Sequence, residues 1–217
     1  MGLAEALHDG TKALHTEAER SGVMGALLHG RASVDAYGRL LAALHAIYGA
    51  LEHGLARHAA HPVLGAMSVA DFSRGDALDH DLRALHGAPW RETAPTHPLA
   101  YEYAEHLHRL ADDAPERLLA HAWLRYLGDL NGGQVVARLV RRAPALARVA
   151  TAFYEFPGLA EPRFAAAAWR ARLDALPLDG TAQAAIVEEA RAGFRRHIAL
   201  FTGLAGQDAA EPSRSEA

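Results

Sequence analysis

Apolar residues recur three and four positions apart over long stretches of this chain, which places them on one face of a helix. The clearest stretch covers residues 37–58, where leucines form a single stripe. Ser33 and Asp35 precede it, as is typical of a helix N-terminus. No segment of the sequence alternates apolar and polar residues in the way a half-buried strand does. The sequence therefore predicts an all-α protein.

Seven helices are predicted from this periodicity and from the prolines and glycines that separate the segments. They are expected at residues 3–28, 37–58, 72–86, 99–112, 116–142, 162–176 and 181–204. We expect one domain over residues 1–205, because a chain of 217 residues is long enough for a substantial buried core. Residues 206–217 are polar and are predicted to form a disordered tail.

Charge and composition exclude several classes of function. The formal net charge of −4 gives no overall attraction to polyphosphate, so neither nucleic acid nor a membrane surface is an expected partner. The chain has no cysteine, which excludes disulfides, thiolate metal ligands and thiol nucleophiles. The N-terminus lacks the pattern of a secretory signal, and no apolar run reaches the roughly 20 residues of a membrane span. We therefore expect a cytoplasmic protein, and a monomer.

One of the 14 histidines is distinguished by its position on the first predicted helix. Four polar residues line the edge beside the apolar face of this helix: His8, Lys12, His15 and Glu19. A partly buried ligand site can form at such an edge. Glu19 lies one turn beyond His15, where a carboxylate can hold the second ring nitrogen of a metal-bound imidazole. His15 is therefore a candidate metal ligand, although exposed His/Glu pairs at this spacing are common in helices.

A run of glycines lies within what is otherwise one long helix, in the segment RYLGDLNGGQ at residues 125–134. Three glycines inside a helix cost about 1 kcal/mol each relative to alanine, so about 3 kcal/mol needs a compensating reason. Gly128 and Gly132 are one turn apart, and their shared face would let a flat ligand lie against the backbone. The glycines also allow a bend. Close helix packing needs only small residues and does not explain Arg125 and Asp129 beside them.

These two segments resemble the haem oxygenase family. Residues 125–134 are similar to the glycine-rich distal helix of that family, and residues 11–19, TKALHTEAE, are similar to its proximal helix. Weaker similarity extends over about residues 3–204. The resemblance implies a single-domain helical haem oxygenase fold, with haem between a proximal helix and a glycine-bent distal helix. It also implies an enzyme that uses O₂ and electrons to cleave haem to biliverdin, CO and ferrous iron.

The resemblance also implies roles for individual residues. His15 would be the axial ligand of the haem iron, and Asp129 would hold the distal water that supplies protons, with Arg125 and Tyr48 as further catalytic residues. The other implied haem-binding residues are His8, Lys12, Glu19, Trp123, Tyr126, Gly128, Gly132, Gly133, Arg170, Phe194 and His197. Because His8 and Trp123 depart from the residue types that relatives often carry, the sequence leaves the haem orientation and the biliverdin isomer open.

Electrons would come from a separate donor, such as a ferredoxin, a flavodoxin or an NADPH-dependent reductase, because the sequence has no flavin or nicotinamide fingerprint. Three alternatives stay open. A haem carrier or sensor on the same fold would bind haem without cleaving it. A di-iron helical bundle would use Glu-x-x-His pairs such as Glu5 with His8 and Glu105 with His108. A purely structural helical protein would leave both family segments unexplained.

Overall fold

The computed structural model describes residues 2–67, 70–94 and 96–210, and within these ranges all regular structure is helical. The helices are α1 (Leu3–Arg20), α2 (Gly22–Leu28), α3 (Val34–Arg57), α4 (Gly75–His86), α5 (Trp90–Thr93), α6 (Pro98–Asp113), α7 (Leu118–Ala122), α8 (Gln134–Arg142), α9 (Pro162–Asp174) and α10 (Gly180–Ala210). Short 3₁₀ turns occupy Gly65–Met67, Ala70–Phe72, Pro115–Arg117 and Ala152–Tyr154. The all-α prediction is confirmed.

The first predicted helix, at residues 3–28, is wrong as a single element because the chain breaks between α1 and α2. Ser21 is extended, and Gly22 has a φ of +42°, in the left-handed region that favours glycine. A Cβ atom on Gly22 would overlap the backbone carbonyl of Phe201 on α10. The break therefore lets the corner between α1 and α2 lie directly on the backbone of α10.

Helix α3 is the central element of the bundle. It begins at Val34, three residues before the predicted start, and the side chain of Ser33 caps it by accepting a hydrogen bond of 3.0 Å from the backbone N–H of Ala36. Leucines and alanines are buried around most of its circumference, and it packs against α4, α6 and α10. Its Tyr48 is fully buried and points towards the segment that carries the glycines.

Residues 118–142, called here the glycine-rich helix, are helical throughout but not uniform. Between α7 and α8, Trp123–Leu127 and Asp129–Gly133 are π-helical. Within these segments the side chain of Asn131 donates a hydrogen bond of 2.8 Å to the backbone carbonyl of Leu127, four residues earlier. The predicted departure from regular helix at the glycines therefore takes the form of two π-helical segments, a feature that bends helices.

Helices α9 and α10 hold α1 in position relative to the glycine-rich helix, because each of them packs against both. Asp174 at the end of α9 accepts a 2.8 Å hydrogen bond from the backbone N–H of Ala4 on α1. Arg191 on α10 donates a 2.9 Å hydrogen bond to the carbonyl of Gly10. These contacts leave a cleft between α1 and the glycine-rich helix.

The last helix extends further than predicted. Helix α10 ends at Ala210, so it enters the stretch 206–217 that the sequence predicts to be disordered. Residues 211–217 lie outside the described residues. In the described part of the chain, no helix combines the length and the apolar character needed to cross a membrane.

Candidate active site

A cleft of about 750 Å³ lies between α1 and the glycine-rich helix, within the range of sizes typical of cofactor sites. Most of the residues predicted to bind a cofactor line it. They are His8, Lys12, His15, Glu19, Trp123, Gly128, Gly132, Arg170 and Phe194. The fold thus brings together residues that are far apart in the sequence.

Gly128 and Gly132 form one wall of this cleft. A Cβ atom built on either glycine would have open space around it, with no described neighbouring atom within 4 Å. The backbone of Gly128 is ordinary right-handed helix, with φ −58° and ψ −49°. Neither backbone conformation nor packing within the protein therefore requires glycine at position 128. The bare face instead leaves room for a ligand to approach the backbone from the cleft.

His15 lies on the α1 side of the cleft, with 54% of its side chain exposed. Its Nδ1 atom is 3.7 Å from Oε2 of Glu19, which is an ion-pair distance but longer than a hydrogen bond. Phe194 of α10 packs edge-on against the imidazole, with 5.8 Å between the ring centroids. The imidazole is therefore steadied by its neighbours and accessible from the cleft.

A smaller cavity of about 140 Å³ adjoins the cleft and shares His15, Gly128 and Gly132 with it. Its polar end is lined by the predicted residues Arg125, Asp129 and His197, next to Gly133. The remaining walls are mostly apolar, and include Met24, Leu28, Val136 and Phe153. A cavity of this size has room for several water molecules, and its polar end offers them hydrogen-bond partners.

The predicted catalytic residues form one buried hydrogen-bonded network beside this cavity. The hydroxyl of Tyr48 donates to Oδ2 of Asp129, and Nη2 of Arg125 donates to Oδ1 at 3.2 Å. Arg125 also donates from Nε to the Tyr48 hydroxyl at 3.3 Å, and its Nη1 lies 3.2 Å from Nε2 of His197. Tyr48 lines neither cavity and acts on the site through its contact with Asp129.

His197 is positioned to accept rather than donate on the side of Arg125. Its Nδ1 atom lies 3.0 Å from the carbonyl oxygen of Gly193 and must carry a proton to bond there, which leaves Nε2 as an acceptor. Burial and the charge of Arg125 hold the pKa of His197 well below its ordinary value. The ring is therefore a neutral acceptor, and it holds the Arg125 guanidinium together with Asp129 and Tyr48.

Asp129 is the acid–base candidate of the network. Burial raises the pKa of Asp129, while the Arg125 charge and the Tyr48 hydroxyl act in the opposite direction. Burial also raises the pKa of Tyr48 well above its ordinary value, so the tyrosine stays protonated as a donor. A carboxyl group held in this way can exchange a proton with water in the adjoining cavity.

Comparison with known proteins places the chain in a family. The family model described as "Heme oxygenase" matches residues 1–203. The chain belongs to the haem oxygenase family. Heme oxygenase 1 of the cyanobacterium Nostoc is 34% identical over 94% of this chain and 86% of the relative. Human heme oxygenase 1 is also 34% identical, over 93% of this chain and 71% of the human protein.

Solved structures of haem oxygenases share the fold. The crystal structure of heme oxygenase-1 from the cyanobacterium Synechocystis in complex with heme has a TM-score of 0.91 and 32% identity, and the match covers 95% of this chain and 94% of that one. The heme oxygenase of Leptospira interrogans has a TM-score of 0.89 and 29% identity, with 94% of this chain and 100% of that one covered. The predicted haem oxygenase fold is confirmed.

One predicted haem-binding residue of this haem oxygenase lies elsewhere. The side chain of Tyr126 is fully buried in the core, where its ring contacts Tyr48 and Phe72 and its hydroxyl is 3.5 Å from Oε1 of Glu52. The reason is helical geometry, because Tyr126 is two residues before Gly128 and so projects from the opposite side of the helix. Its contribution to the site is limited to packing beneath Tyr48.

The two Glu-x-x-His pairs considered for a di-iron site are not brought together. Glu5 and His8 line the cleft, whereas Glu105 and His108 are exposed on α6. Leu124 lines both cavities, but no sequence pattern indicated it. No pattern indicated a largely buried group of polar residues either, which contains Tyr103, His106, His121 and Glu189. Their spacing along the helices carried no signal that they meet in space.

Proposed function

We propose that this protein cleaves haem oxidatively to biliverdin, CO and ferrous iron, with haem as both substrate and cofactor. Membership of the haem oxygenase family gives the reaction class. The observation that carries the proposal to this chain is the bare wall at Gly128 and Gly132, opposite an accessible imidazole. A flat ligand with a metal at its centre accounts for both features at once.

The residues of the cleft fit haem in their chemistry. His15 would bind the haem iron, since imidazole is a common ligand of haem iron. Gly128 and Gly132 would leave room for the ring on the other wall. Lys12 and Arg170, which both line the cleft, would pair with the two propionates. Trp123 and Phe194 contribute the apolar surface that a porphyrin needs.

The buried hydrogen-bonded network around Asp129 would supply protons next to the bound haem. Bound haem supplies an iron centre that activates O₂, and its own ring is the group that is oxidised. The Asp129 carboxyl would hold water in the smaller cavity and pass protons through it. Tyr48 and Arg125 would keep the carboxyl in one orientation, and His197 would keep Arg125 in place. The chain's contribution is therefore orientation and proton supply.

The proposal also includes the partners predicted from the sequence. O₂ is the co-substrate, and a separate ferredoxin, flavodoxin or NADPH-dependent reductase would deliver the electrons. The protein would act as a monomer in the cytoplasm.

An absorption time course tests the function directly. The purified protein is mixed with one equivalent of hemin and then with ascorbate in air, with catalase present to remove free peroxide. We expect the Soret band to disappear while the biliverdin spectrum grows. A stable Soret band would instead identify a haem carrier or sensor. No haem binding at all would contradict the proposal and favour the di-iron or structural alternatives.

A side chain placed on the bare wall at Gly128 should block haem binding without destabilising the fold. Gly128→Leu is expected to leave stability unchanged or raise it by up to about 1 kcal/mol, because leucine favours helix more than glycine does. Haem affinity should fall at least about tenfold, because the new side chain occupies space needed by the ligand. Urea unfolding and a haem titration measure the two effects.

The matched control is Gly49→Leu on α3. Gly49 is also exposed, helical and without a described atom within 4 Å of its Cβ position, but it lies away from the cleft. It should gain the same helix stability and keep full haem affinity. Equal haem affinity in both variants would show that the ligand does not lie against Gly128.

A further inference from the structure

A second group of polar side chains lies outside the haem cleft, where α6, α7 and α10 meet. His106 comes from α6, His121 from α7 and Glu189 from α10. Oε1 of Glu189 is 2.7 Å from Nε2 of His106 and 3.1 Å from Nε2 of His121. One ligand atom from each residue lies within 4.8 Å of the others. We propose that these three residues bind a divalent first-row transition metal ion, such as Zn²⁺ or Fe²⁺.

The donor set matches such an ion. Two imidazoles and one carboxylate form the protein ligands of many catalytic zinc and non-haem iron sites. Metal–ligand distances of roughly 2.0–2.2 Å place neighbouring ligand atoms about 3 Å apart. The separations of 2.7 and 3.1 Å from Glu189 to the two histidines are close to this value. The ligand atoms of the two histidines lie within 4.8 Å of each other, and they would move towards the ion to complete the set.

Burial makes a cation at this position favourable. Glu189 is 8% exposed and His121 is 1% exposed, and a carboxylate at such a depth is rarely found without a positive partner. Oε1 of Glu189 faces the Nε2 atoms of both histidines, and a bound metal ion would place a positive charge beside this buried carboxylate.

The orientation of His121 is fixed as in many metal sites. The hydroxyl of the buried Tyr103 lies 2.7 Å from Nδ1 of His121. A Cβ atom on Gly193 would be only 3.2 Å from the His121 ring, so the ring has little freedom. Metal-bound histidines usually have the second nitrogen held by such a partner. On metal binding His121 would carry its proton on Nδ1, donate it to Tyr103 and present a bare Nε2.

The proposed metal site is accessible from solvent and separate from the haem cleft. The side chain of His106 is 16% exposed, which gives an ion and its waters a route from solvent to the open coordination positions. None of the three ligands lines the haem cleft or the smaller cavity. The site would tie α6, α7 and α10 together, and it extends beyond the proposed haem cleavage.

The test uses the haem-free full-length protein after treatment with a chelator. Equilibrium dialysis against Zn²⁺ should give one tightly bound ion per chain. At a free Zn²⁺ concentration of a hundredfold Kd, the Tm should rise by about 5–10 °C. Co²⁺ provides an independent readout, because its visible absorption reports the coordination of the bound ion.

Three variants assign the binding to this cluster. Glu189→Gln and His106→Gln keep side-chain bulk while weakening or removing a ligand, and each should abolish the tight site. Tyr103→Phe should weaken Zn²⁺ binding by about 10–100-fold, as expected for loss of a partner behind a ligand. Haem binding by each variant shows that it is folded.

The control is His53→Gln. His53 and His108 form an exposed pair of rings between α3 and α6, with 6.0 Å between centroids, and would report adventitious zinc binding. The control should bind Zn²⁺ as the wild type does. The proposal is overturned by a wild-type protein with no tight site, by unchanged binding in Glu189→Gln, or by an equal loss in His53→Gln. None of these outcomes bears on haem cleavage, which is measured separately.

Discussion

Replacing His15 with alanine is expected to lower haem affinity at least about 100-fold and to remove the spectrum of a histidine-ligated ferric haem. Loss of a residue behind a metal ligand typically costs about 10–100-fold in affinity, so loss of the ligand itself should cost at least the upper end of that range. The cleft loses little else, because His15 is half-exposed and contributes little to the core. Haem titration followed by absorption spectroscopy measures both effects.

The comparison variant is His8→Ala. His8 lies on the same edge of α1 and also lines the cleft, but its Nδ1 atom is 2.9 Å from the neighbouring Asp9 carboxylate. It should keep the ferric spectrum and lose only a small part of the haem affinity. If His15→Ala retained the wild-type spectrum while His8→Ala changed it, His8 would be the residue that binds the haem iron.

The helices could be predicted because their periodicity is local information. The break at Gly22 could not, because it is required by the carbonyl of Phe201, which is remote in sequence. A continuous helical pattern over residues 3–28 is compatible with either one helix or two. The contact with α10 favours two helices, and the sequence of the segment itself does not indicate that contact.

In the candidate site too, contacts between residues close in sequence could be predicted, and contacts between remote residues could not. Arg125 and Asp129 are four residues apart, so their pairing follows from helical geometry. The contact of Tyr48 with Asp129 joins residues 81 positions apart, and the family resemblance implies only that Tyr48 belongs to the site. His106 and Glu189 are 83 residues apart. The family resemblance implies no role for these two residues, and only the packing of α6 against α10 brings them together.

Replacing Asp129 with asparagine should preserve haem binding and reduce biliverdin formation by at least about 100-fold. General acid–base catalysis typically raises a reaction rate 10²–10⁴-fold. An amide side chain cannot take up and release a proton near neutral pH. The asparagine keeps the shape of the side chain and can still accept a hydrogen bond from Tyr48. Single-turnover absorption with ascorbate, compared with the wild type at equal haem occupancy, measures the loss.

A matched control separates proton supply from the loss of an ion pair. Asp79 also pairs with an arginine four residues away, Arg83, and accepts a hydrogen bond of 3.0 Å from Nε1 of Trp90, but it lies away from the cleft. Asp79→Asn removes the same kind of ion pair and should leave turnover unchanged. Normal turnover by Asp129→Asn would rule out proton delivery by this carboxyl, whereas an equal loss in both variants would trace the effect to a general disturbance of the fold.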